Sequence, residues 1–333
     1  MSADTRLAAP SDVGRAVARR PGLVLGILGA GAALAVVAFV LVGIEGSWAF
    51  AVPFRLRKVA AMAVVAAAIG VSTVLFQTIT ANRILTPSIL GFDSLYVLLH
   101  TAAMFLLGVA GVSAVDPRVR WLVEVAAMIL FATLLFRWLL GRSAHSLYLL
   151  VLVGVVFGVL FRSASSLLQR MLDPTAFAVL QDDLFATFNA PDEELLAVSA
   201  AVTAVVVVLA ARRVRVLDVL ALGEATATGL GLSHRREVGV VLAMVAALVA
   251  VSTALVGPVL FFGLLVANLA YLVLPTHRHA YLLPGAALLG LICLVLGQLV
   301  LERVFDLAAT LSVVIEFLGG IVFLFLLVKR GVR

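Results

Sequence analysis

Asp93, Glu124 and Glu316 each interrupt a long apolar run, and a charge at the centre of a bilayer costs about 2.5–3.5 kcal/mol on insertion scales. Carboxylates in such places can carry protons or cations across a membrane, which is the chemistry of an ion-coupled secondary transporter. They can equally stay neutral, face a neighbouring helix or lie near an interface, and Asp93 and Glu124 are only a few residues from expected helix ends. His277 and His279, in Thr276-His277-Arg278-His279, offer two imidazoles to a metal. Two ligands without a third make a poor site, and an ordinary polar turn accounts for the same residues. There is no HExxH. The two lysines, Lys58 and Lys329, are followed by Val59 and Arg330, whereas a Walker A loop needs Lys followed by Ser or Thr to hold phosphate and metal. The chain is therefore read as a non-enzyme with no cofactor and no metal of its own. Any ATPase that drives it is a separate polypeptide.

The elements that position these residues follow from composition. Of the 333 residues 64% are hydrophobic and 13% charged, and the mean hydropathy is +1.21. A soluble domain is about 45–50% apolar with roughly 25% charge. Apolar runs of about 18 residues or more recur along the length, which is the pattern of membrane helices, and the short alternating strands of a membrane barrel are missing. The expected fold is all-α: one polytopic domain over 1–333 with about ten transmembrane helices, near 22–43, 58–77, 89–112, 121–140, 146–162, 194–211, 237–256, 259–274, 281–300 and 311–328. Gly257-Pro258 separates the tightest pair, because proline cannot continue the helix before it. The run Leu23–Gly43 follows Arg15, Arg19 and Arg20 as a signal peptide would. It is too long for a signal core and is read as a retained first helix.

The net charge of +6 does not point to nucleic acid, because the basic residues stand at the ends of apolar runs, where they set topology. With ten spans and an inside N-terminus, 16 of the 24 Lys and Arg residues fall on internal segments and 8 on external ones. Both termini are expected in the cytoplasm, with a cytoplasmic tail at 1–21. The longest external loop, about 162–195, holds Asp173, Asp182, Asp183, Asp192, Glu193 and Glu194. The single Cys293 excludes an internal disulfide.

Two segments do not behave as plain connections. Gln77–Asp93 joins two apolar runs yet carries polar groups, an arginine and a proline, and irregular polar backbone survives at a membrane only where protein or water solvates it. Asp218–Gly231, within a cytoplasmic segment at 212–236, alternates small and apolar residues between Arg212-Arg213-Arg215 and Arg235-Arg236. It is either an interfacial amphipathic helix or a coupling element that inserts into a groove of a soluble partner.

These segments resemble those of the permease subunits of ATP-driven importers for ferric siderophores, haem and cobalamin. In that family a helix-ending Gln is followed by an Asn-Pro-Leu-Ala-x-Pro-x-Leu-Leu-Gly-type segment, matched here by Gln77, Asn82, Pro87, Ile89, Leu90 and Gly91. The cytoplasmic Leu-Gly-Glu-x-Ala-x-x-Leu-Gly segment is matched by Leu222–Gly231 with one additional residue. Gly-Pro-x-x-Phe-x-Gly-Leu is matched at Gly257–Leu264, and a closing Gly-rich stretch at Phe317–Phe323. Two departures stand out. Asn82-Arg83-Ile84-Leu85 replaces Asn-Pro-Leu-Ala, and Val266-Ala267-Asn268-Leu269-Ala270-Tyr271 replaces Val-Pro-His-x-x-Arg. Such variants look like the branch that imports ferric catecholate and related siderophores, often through two different permease subunits.

The resemblance implies an importer permease fold in a bacterial plasma membrane. A second permease subunit, identical or different, encloses the pathway with it; two ATPase subunits dock at the cytoplasmic face, and an extracytoplasmic binding protein delivers ferric siderophore. It implies coupling to the ATPase through Leu222, Gly223, Glu224 and Ala225. It also implies docking of the binding protein at Arg55, Lys58 and Arg303, and a translocation pathway near Gln77, Asn82 and Ser88, with Gly91 permitting close approach. For the three docking residues the competing reading is that they anchor the helix ends in lipid headgroups. The alternatives to an importer are the ion-coupled transporter, using Asp93, Glu124 or Glu316, and a non-transporting membrane scaffold.

Overall fold

The computed structural model describes residues 20–44, 47–142, 147–189, 192–304, 311–317 and 319–321. The expected N-terminal tail up to residue 19, Leu318, and the tenth expected helix from Val322 onward lie outside them. Every regular element among the described residues is helical: α1 (Pro21–Leu41), α2 (Trp48–Thr80), a 3-10 turn (Pro87–Leu90), α3 (Phe92–Ala114), α4 (Pro117–Arg142), α5 (Leu147–Met171), α6 (Pro174–Asp183), α7 (Glu193–Arg212), α8 (Val214–Leu220), α9 (Glu224–Gly229), α10 (His234–Val256), α11 (Phe262–Val273) and α12 (His279–Val304). Residues 311–317 and 319–321 are also helical. In a bilayer the helix is the one open-ended element that satisfies its own backbone, and eight of these helices are long and apolar enough to cross.

The core is built on α2. Its small residues let neighbouring backbones come close: a Cβ on Gly70 would meet the Ala286 carbonyl carbon at 3.1 Å, and one on Gly290 would meet the Ala66 Cβ at 3.1 Å. Close approach through small residues is how membrane helices gain contact where lipid is as apolar as leucine. The two helices run antiparallel, since Lys58 near the start of α2 pairs with Glu302 near the end of α12, and Thr78 near the end of α2 meets His279 at the start of α12. At 1.5 Å per residue, Lys58 and Thr78 stand about 30 Å apart, one hydrocarbon thickness.

Several elements differ from expectation. α2 begins about ten residues early, so its 33 residues reach about 50 Å and its first turns extend beyond the apolar layer. α5 continues to Met171, and the expected acidic loop folds into α6. The Asp173 side chain accepts from the Thr175 and Ala176 amides, with Pro174 in the first turn, a helix start that satisfies otherwise orphaned donors. α11 has 12 residues, about 18 Å, too short to span alone. Gly257, at φ 94°, ends α10, and Phe261, at φ 58°, opens α11, so the intervening residues cannot be helical. α3 is broken internally at Gly108, φ 67°.

The Gln77–Asp93 connection re-enters the protein body. Ala81, at φ 48°, caps α2 by donating its N–H to the Gln77 and Thr78 carbonyls, and Gly91, at φ 89°, turns the chain from the 3-10 turn into α3. The turn lies on a glycine seam of α5. A Cβ on Gly154 would stand 2.8 Å from Leu90 Cα, and one on Gly91 would stand 3.0 Å from the Gly158 nitrogen. Gly154→Ala is therefore expected to destabilise the solubilised protein by about 1–3 kcal/mol, as overpacking does. Gly26→Ala, whose Cβ meets nothing within 4 Å, should be neutral or stabilising by about 0.5–1 kcal/mol. Thermal denaturation in detergent checks both.

Candidate transport pathway and coupling face

The re-entrant segment is held by a converging set of amides. Gln77 Nε2 donates to the Arg83 carbonyl at 2.9 Å, and Asn268 Nδ2 reaches the same oxygen at 3.4 Å while donating to Leu264 at 2.8 Å. Asn82 Oδ1 accepts from the Ile84 amide at 2.9 Å, closing a local turn. Gln77 is buried, Asn82 exposed and Ser88 half-buried. The Arg83 guanidinium lies over the Tyr271 ring, 4.4 Å from its centroid, a cation–π contact. The two departures from the family pattern, at 83 and at 268–271, thus meet in space: each supplies what the other needs.

Ser88 and Asp93 line a small polar cavity of about 20 Å³ with Ser72, Thr73, Ser252 and Thr253. Glu124 lies elsewhere, between His100 at 3.5 Å and Arg120 at 3.8 Å, with the Tyr96 ring against His100. The carboxylate therefore has local partners on α3 and its own helix. Among the described residues no three His, Cys, Asp or Glu side chains gather as metal ligands would.

The end of the bundle carrying α8 and α9 is a platform. Leu217, Leu220 and Ala227 are fully buried or nearly so, and they pin the segment to the body. Leu222, Glu224, Ala225, Thr226, Thr228, Gly229 and Leu230 face outward. Gly223 sits between the two short helices at φ 92°, ψ 165°, backbone that is essentially restricted to glycine. Arg213 is ion-paired with Glu237 of α10. Above the platform Gln77, Thr78, Arg83, Ala221, Tyr271, His277 and His279 line a cavity of about 230 Å³. His277 is exposed in the connection to α12. His279 is not part of a turn: it is 2% exposed, with Nδ1 2.7 Å from Asp218 Oδ1 and Nε2 2.7 Å from Thr78 Oγ1.

At the opposite end Arg55 donates from Nη1 to the Phe39, Val40 and Val42 carbonyls and from Nη2 to Gly43, and Arg303 donates to Val42 and Gly43. Two cations thus complete the C-terminus of α1, whose last carbonyls lack intrahelical partners and attract positive charge. Arg303 remains exposed. Lys58, by contrast, is 6% exposed. Its Nζ lies 2.8 Å from Glu302 Oε1 and 4.9 Å from the Phe54 ring centroid. Arg57 pairs with Glu193 and Arg118 with Glu194 at this same end. Five of the eight residues that the Lys and Arg count assigned to one side, Arg55, Arg57, Lys58, Arg118 and Arg303, are therefore gathered at one end of the bundle.

Sequence reasoning missed the Glu302 partner of Lys58, the Asp218–His279–Thr78 contact and the joint hold of Gln77 and Asn268 on Arg83. Each joins residues distant in the chain, and no spacing rule links them. The resemblance did mark Asn268 and Tyr271, as departures.

Comparison with known proteins identifies the class. A model of the FecCD transport family matches residues 43–329, and the chain belongs to that family. Its relatives include the petrobactin import system permease protein YclO of Bacillus subtilis strain 168, 44% identical over 86% of this chain and 91% of the relative. Another is the petrobactin import system permease protein FatC of Bacillus anthracis, 34% identical over 83% of this chain and 78% of the relative. The fold is that of a metal-chelate type ABC transporter solved in an inward-facing conformation, with a TM-score of 0.81 and 22% identity over 93% of this chain and 99% of that one. The chain is a multi-pass permease, a transport subunit rather than an enzyme.

The Lys58–Glu302 pair yields a direct test. Lys58→Met leaves the largely enclosed Glu302 with Gln298 as its remaining partner and should cost about 3 kcal/mol, whereas Lys58→Met combined with Glu302→Leu should recover most of that loss. Denaturation midpoints of the purified variants measure the difference.

Proposed function

We propose that this chain is a permease subunit of an ATP-driven importer that carries a ferric siderophore of the catecholate type across a bacterial plasma membrane, with both termini in the cytoplasm. The observation that carries the coupling part of this reading is the exposed α9, presented on a platform whose Leu217, Leu220 and Ala227 are locked into the core. A partner groove can grip its small outward residues closely, and buried anchors transmit the load. In this reading Leu222, Gly223, Glu224 and Ala225, within the segment 212–236, engage one of two separate ATPase subunits, and Glu224 orients the contact. The cargo follows from the two petrobactin permease relatives.

A second permease subunit, identical or different, completes the pathway. The cavity beside His279 measures about 230 Å³ and the one beside His100 about 190 Å³, below the roughly 300–1,000 Å³ that drug-sized ligands occupy. A ferric chelate then passes between two subunits, along the face bearing Gln77, Asn82 and Ser88, with Gly91 keeping the re-entrant turn tight against α5. An extracytoplasmic binding protein docks at the rim where Arg55 and Arg303 converge, with Lys58 supporting them from behind; such rim charges steer and register a partner more than they supply affinity.

Radioactive iron uptake tests the reading. Cells lacking this gene, supplied with a panel of ferric siderophores, should lose uptake of one chelate class. The intact gene should restore it, while Glu224→Arg, inserted at normal levels, should leave uptake at least tenfold lower. Normal uptake of every chelate in the deletion strain would sink the iron assignment. Full rescue by Glu224→Arg would sink the coupling role.

A further inference from the structure

The coupling platform and the re-entrant segment lie on different elements, and one side chain joins the platform to the helix turn from which the segment departs. We infer that His279 is a positioning residue that links movement of the platform to the transport pathway, an inference that rests on the coupling role proposed above. Asp218, four residues before Leu222, accepts two hydrogen bonds on Oδ1, from the His279 amide at 2.9 Å and from Nδ1 at 2.7 Å. A carboxylate accepts only, so Nδ1 carries the proton in this pair. Across the ring, Nε2 lies 2.7 Å from Thr78 Oγ1, whose single proton is shared between Nε2 and the Val74 carbonyl 2.8 Å away. Thr78 is 8% exposed and adjoins Gln77, whose amide holds the Arg83 carbonyl of the re-entrant segment.

The path therefore runs from α8 through a buried imidazole to the last turn of α2, and from there to the segment that forms the pathway. An imidazole suits this because its two ring nitrogens point in opposed directions on a rigid plane, so displacement at one side appears at the other. Competing roles explain less. Both nitrogens are engaged, which leaves none for a metal. Asp218 also caps the first turn of α12, but a cap needs neither the Nδ1 contact nor Thr78. The Nε2–Thr78 contact is thus the one that separates transmission from simple anchoring.

The test uses the assembled importer, permease pair with ATPases, reconstituted in lipid, with spin labels at Ile84 and Leu34 and Cys293 replaced. ATP should change the distance between the labels in the otherwise native complex. Thr78→Val, which removes the hydroxyl at constant shape, should reduce that change at least fivefold while the ATPase stays bound, and Thr78→Ser should restore it. His279→Asn keeps an amide near the Nδ1 position but does not reach Thr78. It should match Thr78→Val, and combining the two should do no further damage, because both cut one link. Iron uptake per ATP hydrolysed should fall in parallel. An unaltered ATP-driven change in Thr78→Val overturns the inference, as does a loss that Thr78→Ser fails to restore or that merely follows loss of folded protein. A native complex whose labels do not respond to ATP overturns the coupling reading itself.

Discussion

The antiparallel seam between α2 and α12 is the constraint on which the remaining structure leans. Between the ends the two backbones approach through Ala66, Gly70, Ala286 and Gly290, and in lipid that contact cannot draw on a difference in apolarity between helix and solvent. Polar clasps at either end fix its register: Lys58 with Glu302, and Thr78 with His279. A slide of one helical turn, about 5.4 Å, would separate both pairs and leave buried polar groups without partners. The seam thereby spaces two functional faces by one bilayer thickness and holds them in a fixed relation.

Around that seam, two stretches of irregular backbone pack against neighbouring elements. The Pro87–Leu90 turn lies in the groove of Gly154 and Gly158, its exit made by Gly91. The Gly257–Phe261 break is packed as well: a Cβ on Gly257 would stand 3.1 Å from Ala186 Cα, and the Thr187 amide donates to the Val256 carbonyl. These breaks shorten α11 and bring polar groups to mid-depth without exposing bare amides to lipid, the condition that membrane proteins impose on non-helical chain. A transport route needs such polar depth. A bundle of unbroken apolar helices would not offer it.

Charge is used differently at the two ends. Arg55 and Arg303 converge on carbonyls at the end of α1, so this positive rim is also part of a helix terminus. At the other end Arg213–Glu237 and Asp218–His279 tie α8 to α10 and α12, and the outward residues of α9 are left small. One end gathers its cations on a helix terminus, and the other ties a short-helix segment to the bundle by ion pairs and hydrogen bonds.

Much of this was legible in the chain before any coordinates. Hydropathy located every membrane helix among the described residues, because an apolar run of bilayer length has few alternatives. Glycine and proline marked the break at Gly257-Pro258, because those residues relax or forbid specific backbone angles, whereas the turn at Gly91 fell inside an expected helix over 89–112. The segments at 77–93 and 218–231 stood out for their composition alone, and the resemblance implied roles for them. The sequence was silent on α6, whose start relies on a short capping motif inside an acidic stretch, and on the true lengths of α2 and α5. It was silent too on which polar groups meet. Thr276–His279 read as a turn, yet His279 is buried between Asp218 and Thr78, 61 and 201 positions away; Lys58 read as a rim charge, yet its partner stands 244 positions along. Local chain chemistry determined which segments are helical and where they break, since those preferences act within a few residues. The pairing of side chains across helices was decided by the tertiary structure alone, because it depends on register and rotation between elements that no local pattern encodes.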